Sequence, residues 1–147
     1  VQGDEPCLSP HLLDQLVQPF LRPETQASTA ARTLDPEYAK DPNLVKVVRS
    51  HTGRALYFSR SPVPYARDTQ LTGFLLHIGL YAFRLPVLRR FHHLGPSPLE
   101  KVEKLEQLRL LEADIPIHVV LTEHQCYGVD RPEDVANVEA ILRKEQI

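Results

Sequence analysis

Thirteen prolines in 147 residues are roughly twice the usual share, and they decide where regular structure can run. Proline fixes φ and lacks an N–H, so a helix accepts it in the first turn and a central strand does not accept it. Ser9-Pro10 therefore reads as an N-cap followed by proline at the first helical position. Leu12, Leu13, Leu16, Val17 and Phe20 then recur at helical spacing, and Pro19 ends or kinks that helix early. Ser97-Pro98-Leu99-Glu100 combines a capping box with proline at the first helical position. An apolar stripe of Leu99, Val102, Leu105, Leu108 and Leu111 follows it. Pro132 opens a last helix, with Glu133 and Asp134 in its first turn and Arg143 and Lys144 in its last, as the helix dipole favours. Val135, Val138 and Leu142 form its apolar face. Residues 22–43 carry Pro23, Pro36 and Pro42 and no clear period. They read as a connection holding one short strand or a turn of helix.

Strand signals fill the gaps between these helices. Leu44 to Arg49 is β-branched, His51-Thr-Gly-Arg54 is turn chemistry, and Ala55 to Ser59 reads as the returning strand of a hairpin. Leu75 to Phe83 reads as another strand, Val87 to Phe91 as a short helix, and Ile115 to Leu121 as a buried strand. Strands mixed with helices predict one α/β layered domain over residues 1–147, with a hairpin inserted. Apolar residues at 42% and charged residues at 24% exclude wholesale disorder. A net charge of −2 provides no basic field, which argues against a nucleic-acid partner. No apolar run reaches the length of about 18 residues that a membrane-spanning helix needs. The absence of a signal-peptide pattern points to the cytoplasm. Cys7 and Cys126, the two cysteines, make neither a disulfide framework nor a zinc site.

Some polar residues stand where chemistry could occur. Asp4 lies in Gln2-Gly3-Asp4-Glu5-Pro6, and Asp130 lies in Gly128-Val129-Asp130, between a strand and a helix. Open α/β sheets bind ligands at such loops. Two aspartates there could hold magnesium beside a substrate phosphate. The plain alternative is a turn residue and a helix start. Arg60 and Arg67 flank a proline-stiffened loop, Ser61 to Ala66, and their planar forks suit carboxylate or phosphate. Surface arginine is the alternative. His77 and Tyr81 sit four apart in a strand and so share one face, which is either a ligand pocket or core. Glu106 and Gln107 fall on the polar side of the capped helix. His92-His93, and His118 with His124, lack a convincing metal-ligand set.

In order along the chain, these segments resemble one family. Val1 to Pro6, Asn43 to Val48, Ala55 to Asp68, His77 to Arg84, Pro96 to Glu100, Leu105 to Arg109 and Gly128 to Asp134 are similar to 3-deoxy-manno-octulosonate (Kdo) cytidylyltransferases. The resemblance implies an open, mainly parallel sheet flanked by helices, with the hairpin as an arm used by a homodimer. It implies a cytoplasmic transferase of lipopolysaccharide synthesis that joins CTP and Kdo with Mg2+, giving CMP-Kdo and pyrophosphate. By residue match, Asp4 and Asp130 take the metal roles. Arg60, Arg67, His77, Tyr81, Glu106 and Gln107 line the sugar pocket, Arg60 and Arg67 also serving the reaction. Gln2 lies beside the sugar and nucleotide.

The chain departs from that pattern in places. The resemblance covers the later part of a family member. The early glycine- and basic-rich loop that holds triphosphate is absent, and Val1 stands where an initiator would. These features carry the expectation that N-terminal strands are missing and that residues 1–147 alone are aggregation-prone or partly unfolded, without useful cytidylyltransferase activity. The stretch from Asp68 to Leu75 is shorter than usual. Glu123 to Tyr127 replaces a smaller, glycine-containing loop, and Arg131 stands where a small hydroxyl residue commonly caps the last helix. Two other functions stay open: a non-catalytic interaction module, and a synthetase for another acidic sugar such as sialic acid.

Overall fold

The computed structural model describes residues 8–68, 71–124 and 134–145. The first helix, α1 (Pro10–Val17), starts where the proline pattern places it, with the Ser9 side chain accepting from the His11 N–H at 3.2 Å. Pro19 sits inside a 3-10 turn, Gln18–Leu21, so α1 tightens and stops there.

The connection expected over residues 22–43 is more structured than its sequence period indicates. It contains β1 (Ala27–Leu34), eight residues long, and a 3-10 turn at Pro36–Tyr38. Far from peripheral, β1 lies between two other strands. Ala27 and Ala31 pack into one core, and Ala30 packs into another on the opposite face. A strand buried on both faces by small residues shows no apolar–polar alternation, which is why the pattern hides it.

The hairpin forms as expected from β2 (Lys46–Arg49) and β3 (Ala55–Ser59). Its turn docks on the sheet: the Val119 N–H donates to the Gly53 carbonyl at 2.7 Å. Gly53 has φ +89°, and a Cβ there would meet His118 Cε1 at 2.7 Å. The positive φ favours glycine, and a Cβ there would also have to displace the His118 ring. Next come β4 (Phe74–Phe83) and α2 (Leu85–His93). The capping-box region is two short helices rather than one: α3 (Pro98–Glu103) and α4 (Gln107–Glu112). Lys104, in the left-handed region at φ 56°, breaks the stripe, and Val102 is left exposed. β5 (Ile117–Leu121) and α5 (Asp134–Glu145) complete the described elements.

The five strands run β3-β2-β4-β1-β5. Among them β1 and β5 pair parallel, while the β1–β4, β2–β3 and β2–β4 pairings are antiparallel. The α/β layering and the inserted hairpin match expectation; the described sheet is mixed rather than mainly parallel, because the hairpin and β4 reverse the chain. α1 covers one face through Leu12 and Leu16, against Ala30, Ile78 and Leu80. α2 and α4 cover the other through Val87, Leu108 and Leu110, against Ala27, Phe58, Ile117 and Val119. No described helix is long and apolar enough to cross a membrane.

Candidate functional site

The β1–β4 pairing is irregular at one point, and Thr29, His77 and Tyr81 meet there. Thr29 pairs with Tyr81 and Ala30 with Ile78, so Gly79 and Leu80 have no aligned partner on β1. Such a bulge re-aims side chains and leaves carbonyls off the ladder. The buried Thr29 hydroxyl occupies the gap, lying 2.7 Å from the Leu80 carbonyl and 3.1 Å from the Ile78 carbonyl. The skip is two residues long, so the strand's alternation is preserved across it. His77 and Tyr81 thus remain on one face, as their spacing requires, with ring centres 5.5 Å apart. His77 also meets Phe58 edge-on at 4.9 Å, and Tyr81 stacks on Phe83 at 5.8 Å.

His77 and Tyr81 are both half-buried. Burial lowers the His77 pKa from 6.5 to about 3, so the ring is neutral at physiological pH. Burial, and then the charge of Glu106, raise the Tyr81 hydroxyl above its ordinary range. Glu106 itself is exposed, at the start of α4. Gln107 is the first residue of α4 and is buried, and its Nε2 has no hydrogen-bond partner among the described residues. It therefore does not lie on a solvated polar face, the plain expectation for its position. A buried amide donor without a partner costs free energy unless a ligand or water fills the role.

The two arginines of the proline-stiffened loop differ. Arg60 is held from every side. Its Nε and Nη1 donate at 2.8 Å to the carbonyls of Glu103 and Pro42, and Nη2 donates to the Lys104 carbonyl at 3.3 Å. Its own N–H donates to the Glu103 carboxylate at 2.9 Å, and its carbonyl accepts from the buried Lys46 ammonium at 2.6 Å. Arg60 here fastens the end of β3 to the α3–α4 turn. Arg67 is open to solvent at 86% side-chain exposure, with Asp68 3.6 Å away. No hydrogen bond or ring contact among the described residues joins either arginine to His77, Tyr81 or Gln107.

Asp4, Asp130 and Gln2 lie outside the described residues. The segments next to them do meet. A groove of about 580 Å³ is lined by Ser9 and His11, which follow the Asp4 segment, and by Thr122, Glu123 and His124, which precede the Asp130 segment. Arg32 and Thr33 from β1 complete that wall, so the groove opens at the carboxyl ends of the parallel pair. Gln15, whose Oε1 is buried without a partner, also lines it. The expectation of no histidine or cysteine metal centre concerns described residues only in part; among those described, no group of three or more potential ligands assembles. Thr29, Gln15 and Glu123 are absent from the sequence-based candidates. Thr29 lies in a segment with no readable period, and a single threonine carries no signal of its own.

A layered α/β sheet with a groove at strand carboxyl ends has the architecture in which open α/β proteins bind small molecules. Comparison gives the family. The family model described as cytidylyltransferase matches residues 1–117, and the chain belongs to that family. It is 51% identical over 148 residues to the 3-deoxy-manno-octulosonate cytidylyltransferase of Nitratidesulfovibrio vulgaris, covering 98% of this chain and 59% of that protein. It is 51% identical to the protein of the same name from Lawsonia intracellularis, over 97% of this chain and 56% of the relative. Among solved structures it is similar to a CMP:2-keto-3-deoxy-manno-octonic acid synthetase complexed with CTP. That match has a TM-score of 0.92 and 37% identity, and covers 99% of this chain and 61% of the other. The chain thus spans about 60% of the length of the relatives it matches.

Proposed function

We propose that this chain is part of a nucleotidyltransferase that activates Kdo with CTP, releasing pyrophosphate and forming CMP-Kdo. The observation that carries this reading is the buried Gln107 amide, whose Nε2 has no partner among the described residues, together with the His77–Tyr81 pair, on a fold shared with a CTP-bound synthetase. A sugar with several hydroxyls and one carboxylate supplies the partners such groups lack. Arg67, exposed on its loop, supplies a cation to the carboxylate. Arg60 contributes by fixing the loop that bears Arg67.

In the reaction the anomeric hydroxyl of the sugar forms a new P–O bond at the α-phosphorus of CTP. The bond from that phosphorus to the bridging oxygen breaks, pyrophosphate leaves, and the hydroxyl proton passes to solvent. His77, Tyr81 and Gln107 act by positioning the sugar. Magnesium, when bound, neutralises the phosphates and stabilises charge on the transferring group. Its donors would be Asp4 and Asp130. The groove lined by residues that follow and precede their segments in sequence suits a hard cation, because Ser9, Thr122 and Glu123 offer oxygen donors. We take the assembly to be a cytoplasmic homodimer using the β2–β3 hairpin, with neither a nucleic-acid nor a membrane partner.

The test is pyrophosphate release by the complete protein with CTP, Kdo and Mg2+, together with the same assay using sialic acid. Turnover with Kdo and not with sialic acid is the expected result. Absence of turnover with Kdo at any magnesium concentration overturns the reading.

A further inference from the structure

The bulge holds a relay whose consequence extends beyond binding-site membership. Thr29 Oγ faces the Leu80 carbonyl at 2.7 Å, the Ile78 carbonyl at 3.1 Å and His77 Nε2 at 3.0 Å. A hydroxyl has one proton and two lone pairs. Carbonyl oxygens only accept, so the single proton must point at the bulge, toward Leu80. What Thr29 then shows the imidazole is a lone pair. His77 Nε2 must be the donor, and in a neutral ring Nδ1 is bare.

We propose that Thr29 is a positioning residue that locks His77 as the neutral Nε2–H tautomer, so that Nδ1 serves as an obligate acceptor for a substrate hydroxyl. The ligand chemistry follows. His77 does not meet the sugar carboxylate, since a bare ring nitrogen and a carboxylate are both acceptors. It selects a polyol whose hydroxyl donates at that point. The charge balance agrees, because burial keeps the ring neutral well below physiological pH. No hydrogen bond among the described residues occupies Nδ1. Of the titratable groups nearby, Tyr81 on β4 meets the His77 ring, and Glu106 on α4 acts on Tyr81. Phe58 on β3 supplies an apolar edge. The carbonyl pair that fixes the proton exists only because Gly79 and Leu80 are unpaired on β1. A regular ladder would leave Thr29 free to turn its proton toward the ring.

The identity of the donating hydroxyl rests on the Kdo reading, whereas the tautomer lock does not. The experiment separates them. Long-range 1H–15N spectra of the complete protein with 15N-labelled histidine report which ring nitrogen of His77 carries hydrogen. The expected pattern is a single Nε2–H tautomer. Thr29→Val removes the lone pair, and a mixture of tautomers or Nδ1–H is expected. Thr29→Ser keeps the hydroxyl and restores the wild-type pattern. An Nδ1–H signal in the wild type, or an unchanged Nε2–H pattern in Thr29→Val, overturns the proposal. If Thr29→Val fails to fold, the wild-type and Thr29→Ser spectra still decide it, a mixture in either being fatal. Kinetics then address the ligand. KM for Kdo should rise about tenfold in Thr29→Val, the worth of one hydrogen bond, with KM for CTP unchanged. A tautomer lock in a protein that does not turn over Kdo removes the substrate reading and leaves the lock standing.

Discussion

Two polar regions of this chain use similar residues to opposite ends. Around the α3–α4 turn the charged groups that are not exposed are consumed. The Glu103 carboxylate accepts from the Arg60 N–H at 2.9 Å and from the Ser59 hydroxyl at 2.7 Å. Burial pushes the Glu103 pKa up, but these bonds, with one from Tyr57, outweigh it and the net shift is downward. The buried Lys46 donates to two carbonyls, and burial lowers its pKa. Arg109 forks onto Glu100 while its remaining donor reaches the Leu94 carbonyl at 3.0 Å. By contrast, no hydrogen bond among the described residues engages His77 Nδ1, beside the β1–β4 bulge, or the buried Nε2 of Gln107, on α4. Saturated polar groups hold a fold in one shape. Polar groups left wanting, inside a shape held elsewhere, are poised for a ligand.

The largest expected effect breaks the saturated region. Arg109→Met leaves the Glu100 carboxylate without its partner, and removes the guanidinium stacked 4.6 Å from the Phe91 ring centre. Arg109 holds the Glu100 carboxyl below its usual range; without it, only the Ser97 N–H and the Lys101 charge oppose the burial that pushes that carboxyl up. The pair is mostly but not wholly buried. A loss of about 2–3 kcal/mol is expected, read as a drop in denaturant midpoint. A loss under about 0.5 kcal/mol, the ordinary surface scale, would show the network to be ornamental.

The second effect belongs to the bulge. The folded-state pKa of His77, about 3, lies below its ordinary 6.5. The unfolded chain therefore binds the proton more readily, and stability contributed by His77 is full above pH 6.5 and lost as pH falls toward 3. At pH 5 the loss is about 2 kcal/mol. His77→Gln should flatten that limb of a stability–pH profile. A parallel profile in wild type and variant would mean that water reaches the ring. The third effect is smaller and purely steric. Gly53→Ala forces a side chain into φ +89°, which only a shift of the hairpin turn relieves, and against the His118 ring, which must move aside. It should cost about 1–2 kcal/mol, measured by thermal melting, without altering the tautomer of His77.

The contrast between the regions also explains what the sequence alone makes legible. Helix starts at Pro10 and Pro98, the hairpin, and β4 follow from local chemistry, since caps, turn residues and alternation act over a few positions. β1 escapes because its burial comes from neighbours on both faces. The break at Lys104 escapes because an apolar stripe continues in register through it. For the site, spacing places His77 and Tyr81 together correctly, since that relation is local to one strand. Whether Arg60 is spent or free is not local. It depends on carbonyls of Pro42, Glu103 and Lys104, brought to it by the fold. The unmatched donor of Gln107 is likewise a property of its surroundings.

The smallest expected effect sharpens the comparison most, because it separates the two arginines that sequence treats alike. Arg67→Lys changes an exposed side chain whose described ion partner is the equally exposed Asp68. Stability should stay within about 0.5 kcal/mol of wild type. Arg60→Lys should do worse, since an ammonium cannot reach three carbonyls in the plane of a guanidinium. Under the Kdo reading the order reverses in the binding assay. Arg67→Lys keeps the charge but loses the fork, so Kdo affinity falls while melting is unchanged. Unaltered Kdo affinity in the Arg67 variant would remove that residue from the sugar site. An equal stability loss in both variants would show that the loop between them is fastened at both ends rather than at Arg60 alone.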